Sequence, residues 1–241
     1  MVGLGTIINV IAVISGGLVG KLFGKAISKS MQDALMTAIG ISVVFIGLGG
    51  ALEKMLFLSD GKLSSTGGMM ILGCLVVGAV IGELLKIEES IERFGAWLKE
   101  KTKNEGDTKF IDGFVTTSIT ISIGAMAVVG ALSDGMFGDY KLLAAKSVID
   151  FLVVLIMTSS MGIGCAFSAI PVGLFQGIIT LTAKYIEPFM TTAALSNLSL
   201  IGSILIFCVG LNLVVGKKIK VANLLPGVVL AVIWTFMPFK F

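Results

Sequence analysis

The chain has 241 residues, of which 56% are hydrophobic and 14% charged, and its mean hydropathy is +1.03. A soluble domain carries roughly 25% charged residues, so the lipid bilayer rather than water is the solvent for most of this protein. A net charge of +3 without a basic tract interleaved with aromatics leaves out nucleic acid as a partner, and the lack of histidine removes the usual general base and the commonest transition-metal ligand.

The hydrocarbon core of a bilayer is ~30 Å thick and takes about 20 apolar residues to cross as a helix. Segments of that kind recur at 2–20, 32–52, 69–86, 110–132, 142–160, 166–184, 192–214 and 221–237. They predict an all-α polytopic membrane protein with about eight crossings in a single transmembrane domain, 1–241. The first segment lacks a basic n-region and a small-residue cleavage site, so it reads as a retained span rather than a signal peptide. Gly16, Gly20 and Gly24 form a four-residue ladder on it. Such a strip packs helices within a protomer or, as a homo-oligomer, between protomers. It is not a phosphate loop, since no strand precedes it and no Lys-Ser/Thr follows in register. Asn9 puts an amide inside this span, either as an interhelical hydrogen bond or as part of a site.

After the third span, Ile87, Ile91, Phe94 and Leu98 recur at three- and four-residue steps with Trp97 on the same side. The spacing predicts an amphipathic helix over 86–100, lying in the cytoplasmic interface or serving as a solvated connector. A polar linker, 101–108, follows.

Two stretches carry Ser-x-Gly cores: Thr116 to Gly135, with Ser122-Ile123-Gly124, and Met157 to Gly177, with Ser160-Met161-Gly162. Glycine costs ~1 kcal/mol in a helix relative to alanine, and Pro171 costs more. A membrane tolerates them where neighbours or a wet cavity satisfy the freed backbone groups. Only 37 residues lie between Lys146 and Lys184, fewer than two straight crossings need. A short, broken or re-entrant helix is therefore expected in 116–177. Half-helix ends at depth would hold ions there; close packing of small residues is the alternative reading.

Ionisable residues within spans are functional candidates because burying a charge in lipid costs several kcal/mol. Lys146 and Asp150 are four apart on one helix face, as a site or as a snorkelling interfacial pair. Asp134 closes the fourth span, and Asp134 with Asp150 is the pair expected to bind a cation or exchange a proton. Thr120, Ser122 and Gly124 add polar or bare backbone groups on the fourth span, Ser160 and Gly162 do so near the fifth, and Gln176 adds an amide on the sixth. Together with Asn9, these are the candidate substrate- or ion-binding residues. Glu83, Asn197 and Asn212 are further polar groups at span edges. Cys74, Cys165 and Cys208 stand singly in apolar runs and read as core residues. No metal or catalytic constellation is visible, and Gly138-Asp139 lacks the spacing of an intramembrane aspartyl protease, so neither an enzyme nor a cofactor is expected.

A weak internal echo links Ile39-Gly40 and Phe45 to Ile201-Gly202 and Phe207, and Val76 to Ile81 with Val228 to Ile233. Matched in order, spans one to three (1–86) would correspond to six to eight (166–241) as inverted triplets, a mark of secondary transporters. Lys and Arg number twelve in the odd connections against six elsewhere, which places both termini outside. The leading functional expectation is a secondary transporter of a small solute or ion, with Na⁺ or H⁺ as coupling ion and a site near the bilayer midplane. An ion channel and a non-transporting scaffold or assembly factor are the alternatives.

GTIINVIAVISGGLVG at 5–20, GAMAVVGALSDG at 124–135, LLAAKSVIDF at 142–151 and FSAIPVGLFQG at 167–177 resemble, over nearly the full chain, the YdfK/YqgA-like family of uncharacterised bacterial proteins. The resemblance implies a multi-pass protein of the inner membrane, with Asn9, Asp134, Lys146, Asp150 and Gln176 on the family's polar positions. Where members tend to have Gly-Pro, this chain has Gly124-Ala125, so no proline break is implied there.

Overall fold

A computed structural model of the chain describes residues 1–26, 28–59, 61–122 and 125–237. Its helices are α1 (Leu4–Ala26), α2 (Lys29–Met55), α3 (Gly68–Leu84), α4 (Ile87–Lys101), α5 (Phe110–Ser122), α6 (Ala125–Phe137), α7 (Lys141–Met161), α8 (Ala169–Leu181), α9 (Ala183–Ile186), α10 (Thr192–Val215) and α11 (Pro226–Trp234). Helix dominates because lipid supplies no partners for backbone amides, so each span must satisfy its own. By length and composition α1, α2, α7, α10 and the segment Ile163–Leu181 can each cross a bilayer. Among the described residues, two bent pairs, α3 with α4 (51°) and α5 with α6 (64°), raise the number to as many as seven if each pair is one span. The eighth expected crossing falls on Val221–Trp234, which is shorter.

The connection between α2 and α3 holds an antiparallel hairpin, β1 (Leu56–Ser59) and β2 (Lys62–Ser65), with Leu58 opposite Leu63. It was not expected from the spans, although Asp60-Gly61 is the dipeptide that marks a two-residue hairpin turn.

The chain divides into two compact units, Met1–Ile39 with Glu89–Glu187, and Gly40–Glu88 with Pro188–Phe241. In the first, α1 and α7 run parallel. A Cβ on Gly16 would lie 2.5 Å from the Phe151 carbonyl oxygen, and one on Gly24 would lie 2.8 Å from that of Ser159, with Gly20 meeting Leu155 between them. The glycine ladder is thus filled by α7 of the same protomer. α8 runs antiparallel to α1, with Thr6 bonded to Thr180 at one end and Gly17 against Ala166 at the other. A dry layer of Val13, Ile121, Val154, Ala169 and Val172 forms the core between them. The amphipathic helix is α4: Leu98 is buried, Gly95 approaches Phe114, and Phe94 stacks on the half-exposed Trp97.

In the second unit, Gly47 of α2 packs on Phe207 of α10, and Gly78 of α3 packs on Gly227 of α11, both pairs antiparallel. Ala51, Met70, Cys74, Leu200, Ile201 and Ala231 form its core.

The bend between α5 and α6 falls within 116–177, where a short, broken or re-entrant helix was expected; the segment between Lys146 and Lys184 is not itself broken at Pro171. Lys146 sits inside α7, not at its end. A single residue, Gly162 (φ +91°), then separates α7 from a 3-10 helix (Ile163–Ser168) that runs into α8. Six residues at ~2.0 Å and thirteen at ~1.5 Å give a segment of about 30 Å, a full crossing. Pro171 falls in the first turn of α8, where no amide donor is needed, so it starts the helix rather than breaking it. α5 and α6 meet at 64°. Gly124 itself lies outside the described residues.

Candidate functional site

The spacing of Lys146 and Asp150 puts both on the inner face of α7, and both are buried. They form an ion pair. Asp150 is nine residues, ~14 Å, into the helix, a depth at which an uncompensated charge is costly. The compensation comes from three other helices. Lys146 Nζ donates to the Ile121 carbonyl oxygen (2.8 Å), one of the last carbonyls of α5. The negative end of the helix dipole favours a cation there. Asn9 Nδ2, from α1, donates to Asp150 Oδ2 (3.0 Å) and to Gln176 Oε1 on α8 (3.2 Å).

Asn9 and Gln176 are 0% exposed, yet Asn9 Oδ1 and Gln176 Nε2 have no hydrogen-bond partner, and neither has Ser122 Oγ at the end of α5. An orphaned acceptor and an orphaned donor in one buried cluster each cost roughly 1–3 kcal/mol. Native structures leave few such groups, and each calls for an explanation such as a water, an ion or a ligand.

The cluster is layered. Val13 and Val154 lie one turn beyond Asn9 and Asp150, and Val172 one turn before Gln176. The apolar layer they make with Ile121 seals the cluster on the side of the α7 C-terminus. The other side is tied by polar contacts. Thr6 and Thr180 hydroxyls lie 3.3 Å apart, Thr180 donates to the Ala131 carbonyl (3.2 Å), and Asp134 accepts from the Gly3 and Gly5 amides at 3.2 and 2.9 Å.

The structure therefore joins Asn9, Lys146, Asp150 and Gln176, with Ser122 on the turn that supplies the Ile121 carbonyl. It gives Asp134 a different set of partners: that carboxylate caps the first turn of α1, where amides are free and an anion is favoured. Thr120 returns its hydroxyl proton to the Thr116 carbonyl (2.7 Å). Ser160 lies ten residues beyond Asp150, ~15 Å along the helix. Its carbonyl accepts from Lys109 (3.4 Å), and Gly162 faces Asp107. Asn197 and Asn212 serve local bonds, to Thr235 and to the 216–219 turn.

The second unit holds a network that the span reading reached only at Glu83. Asn223 Oδ1 accepts from the Glu88 amide (2.8 Å), and its Nδ2 donates to Glu83 (2.7 Å). Glu88 Oε2 accepts from the Ala222 amide (3.2 Å), and Lys217 pairs with Oε1 (3.3 Å). Lys220 pairs with Glu83 at 2.9 Å. The missed signal was Asn223, an amide beside Pro226 at a span edge.

Several apolar spans, bent helix pairs and an intramembrane ion pair define a polytopic α-helical membrane protein. The family model described as "Protein of unknown function (DUF554)" matches residues 4–236, and the chain belongs to that family. It is 27% identical over 233 residues to "Uncharacterized membrane protein YdfK" of Bacillus subtilis (strain 168), covering 97% of this chain and 96% of that one. It is likewise 27% identical over 232 residues to "Uncharacterized protein YqgA" of Escherichia coli (strain K12), covering 95% and 94%. No solved structure gives a significant match.

Proposed function

We propose that the protein is a secondary transporter that moves a small polar solute or ion, chemically unchanged and without a bound cofactor, across a bacterial inner membrane. The observation that carries this is the buried Asn9–Lys146–Asp150–Gln176 cluster with its unpartnered amide atoms. Orphaned donors and acceptors around an ion pair at membrane depth, next to the bent α5–α6 segment, are the features by which carriers hold solute at the midplane. The apolar layer of Val13, Val154 and Val172 argues for an occluding carrier over an open channel.

Two further features support the reading. α1 and α8, α2 and α10, and α3 and α11 are the pairs an inverted repeat of the outer triplets would relate, and each packs antiparallel. Gly24 against Ser159 and Lys109 on the Ser160 carbonyl bring the basic first and third connections to one end of the first unit. That arrangement favours a cytoplasmic end there and external termini.

The test is uptake into proteoliposomes of a panel of labelled amino acids, organic acids and monovalent ions, driven by an imposed H⁺ or Na⁺ gradient. Gradient-dependent uptake of one class, lost in Asp150→Asn, is expected. A panel with no gradient-driven uptake in protein that remains folded would sink the proposal.

A further inference from the structure

The position of the Lys146 ammonium carries the carrier reading one step further, to the identity of the coupling ion. Its Nζ lies between the Asp150 carboxylate and the Ile121 carbonyl oxygen at the end of α5. A carboxylate together with a backbone carbonyl near the C-terminal end of a helix segment is the donor set by which carriers coordinate a coupling cation. Here that donor set is already occupied by a side chain of the protein. A sodium ion and an ammonium cannot share one position, and side by side in a low-dielectric interior they repel strongly.

We infer that Lys146 is a tethered replacement for sodium, and that the ion exchanged at this site is a proton gained and lost by the Lys146 amine. In the loaded form the ammonium is held by Asp150 and Ile121. On release one N–H bond breaks, its electron pair stays on nitrogen, and the proton passes to water as hydronium. A neutral amine is left beside the Asp150 carboxylate. Uptake reverses the step, so nothing is oxidised or reduced. Lysine suits this role because a buried ammonium changes its proton affinity readily with its surroundings, which arginine does not.

Among the described residues, other charged groups on the packed helices do not face the pair. α8 has none. Lys21 and Lys25 of α1 are 12 and 16 residues past Asn9, and Asp112 of α5 is nine before Ile121. Asp134 of α6 is taken by the Gly3 and Gly5 amides. Lys141 opens α7 at its exposed end. Asn9 and Gln176, which do face the pair, are neutral.

The experiment compares unfolding temperatures of detergent-purified protein in about 100 mM NaCl and in choline chloride, for wild type, Lys146→Met, Lys146→Thr and Lys146→Met/Asp150→Asn. Wild type is expected to unfold at the same temperature in both salts. The two single variants, with the cation position vacated, are expected to gain a sodium-specific rise of about 3 °C, which the double variant loses. A sodium-specific rise in wild type that Asp150→Asn abolishes overturns the inference. So does the lack of any sodium response in single variants that still unfold cooperatively. Wild-type liposomes decide if neither single variant folds: uptake on a pH gradient without sodium supports the inference. Uptake only on a sodium gradient keeps the carrier and overturns the proton. Where Lys146→Met does fold and responds to sodium, uptake by wild type on neither gradient sinks the carrier reading alone and leaves Lys146 as a cation replacement; where neither variant folds, uptake on neither gradient sinks both.

Discussion

The two polar assemblies of this chain use similar residues to opposite ends. Around Asp150 the charges are buried, each ion has few partners, and two amide atoms have none. Around Glu88 and Asn223, side chains and backbone amides close on one another, with Lys217 and Lys220 reaching in from exposed positions. The second assembly ties Glu83 and Glu88 to the Val221–Leu224 turn and leaves little unmet demand. The first is incomplete by itself, since Asn9 Oδ1 and Gln176 Nε2 have no partner, and the proposed transport role rests on that difference.

The largest test of that contrast is a double-mutant cycle on the buried pair. Asp150→Ala alone or Lys146→Met alone strands a charge in the membrane interior and is expected to lower the unfolding free energy by about 3–5 kcal/mol. Lys146→Met with Asp150→Leu removes both charges and is expected to recover most of the loss while uptake stays abolished. Chemical unfolding in micelles measures both. Singles that cost nothing would mean that water reaches the pair. A middle-sized effect is expected from Asn223→Ala, which strips the buried Glu88 amide of its acceptor: roughly 1–3 kcal/mol, read from the same unfolding curves, with gradient-driven uptake retained. The smallest is Lys220→Ala. Its ammonium and the Glu83 carboxylate are 56% and 60% exposed, so water and salt screen them. The unfolding midpoint should stay within experimental scatter, and a clear drop would show that the network is strained rather than saturated.

Much of this was legible in the residues because lipid imposes simple rules. Twenty apolar residues make a helix, glycine at four-residue steps makes a packing face, and an ionisable group within a span needs a reason. Those rules reached Asn9, Lys146, Asp150 and Gln176. They could not reach the Ile121 carbonyl, since a backbone oxygen has no letter of its own. They also reached the bend between α5 and α6, which falls inside 116–177, while the short count between Lys146 and Lys184 is met by a helix that Pro171 starts rather than breaks. They grouped Asp134 with Asp150 because both are acids in or beside spans. The difference between them lies in tertiary partners, amides of the first turn of α1 for one and a lysine for the other. The hairpin at Leu56–Ser65 was hidden by reading connections only for charge.

The parallel pairing of α1 with α7 has a consequence for biogenesis. Asn9 leaves the ribosome 141 residues before the Asp150 that completes its bonding. At roughly 5–20 residues per second that is a wait on the order of 10 s. During that interval the first helix sits in the insertion machinery or the lipid with a bare amide and an unfilled glycine groove. The contacts that close this groove therefore form only once α7 has been made.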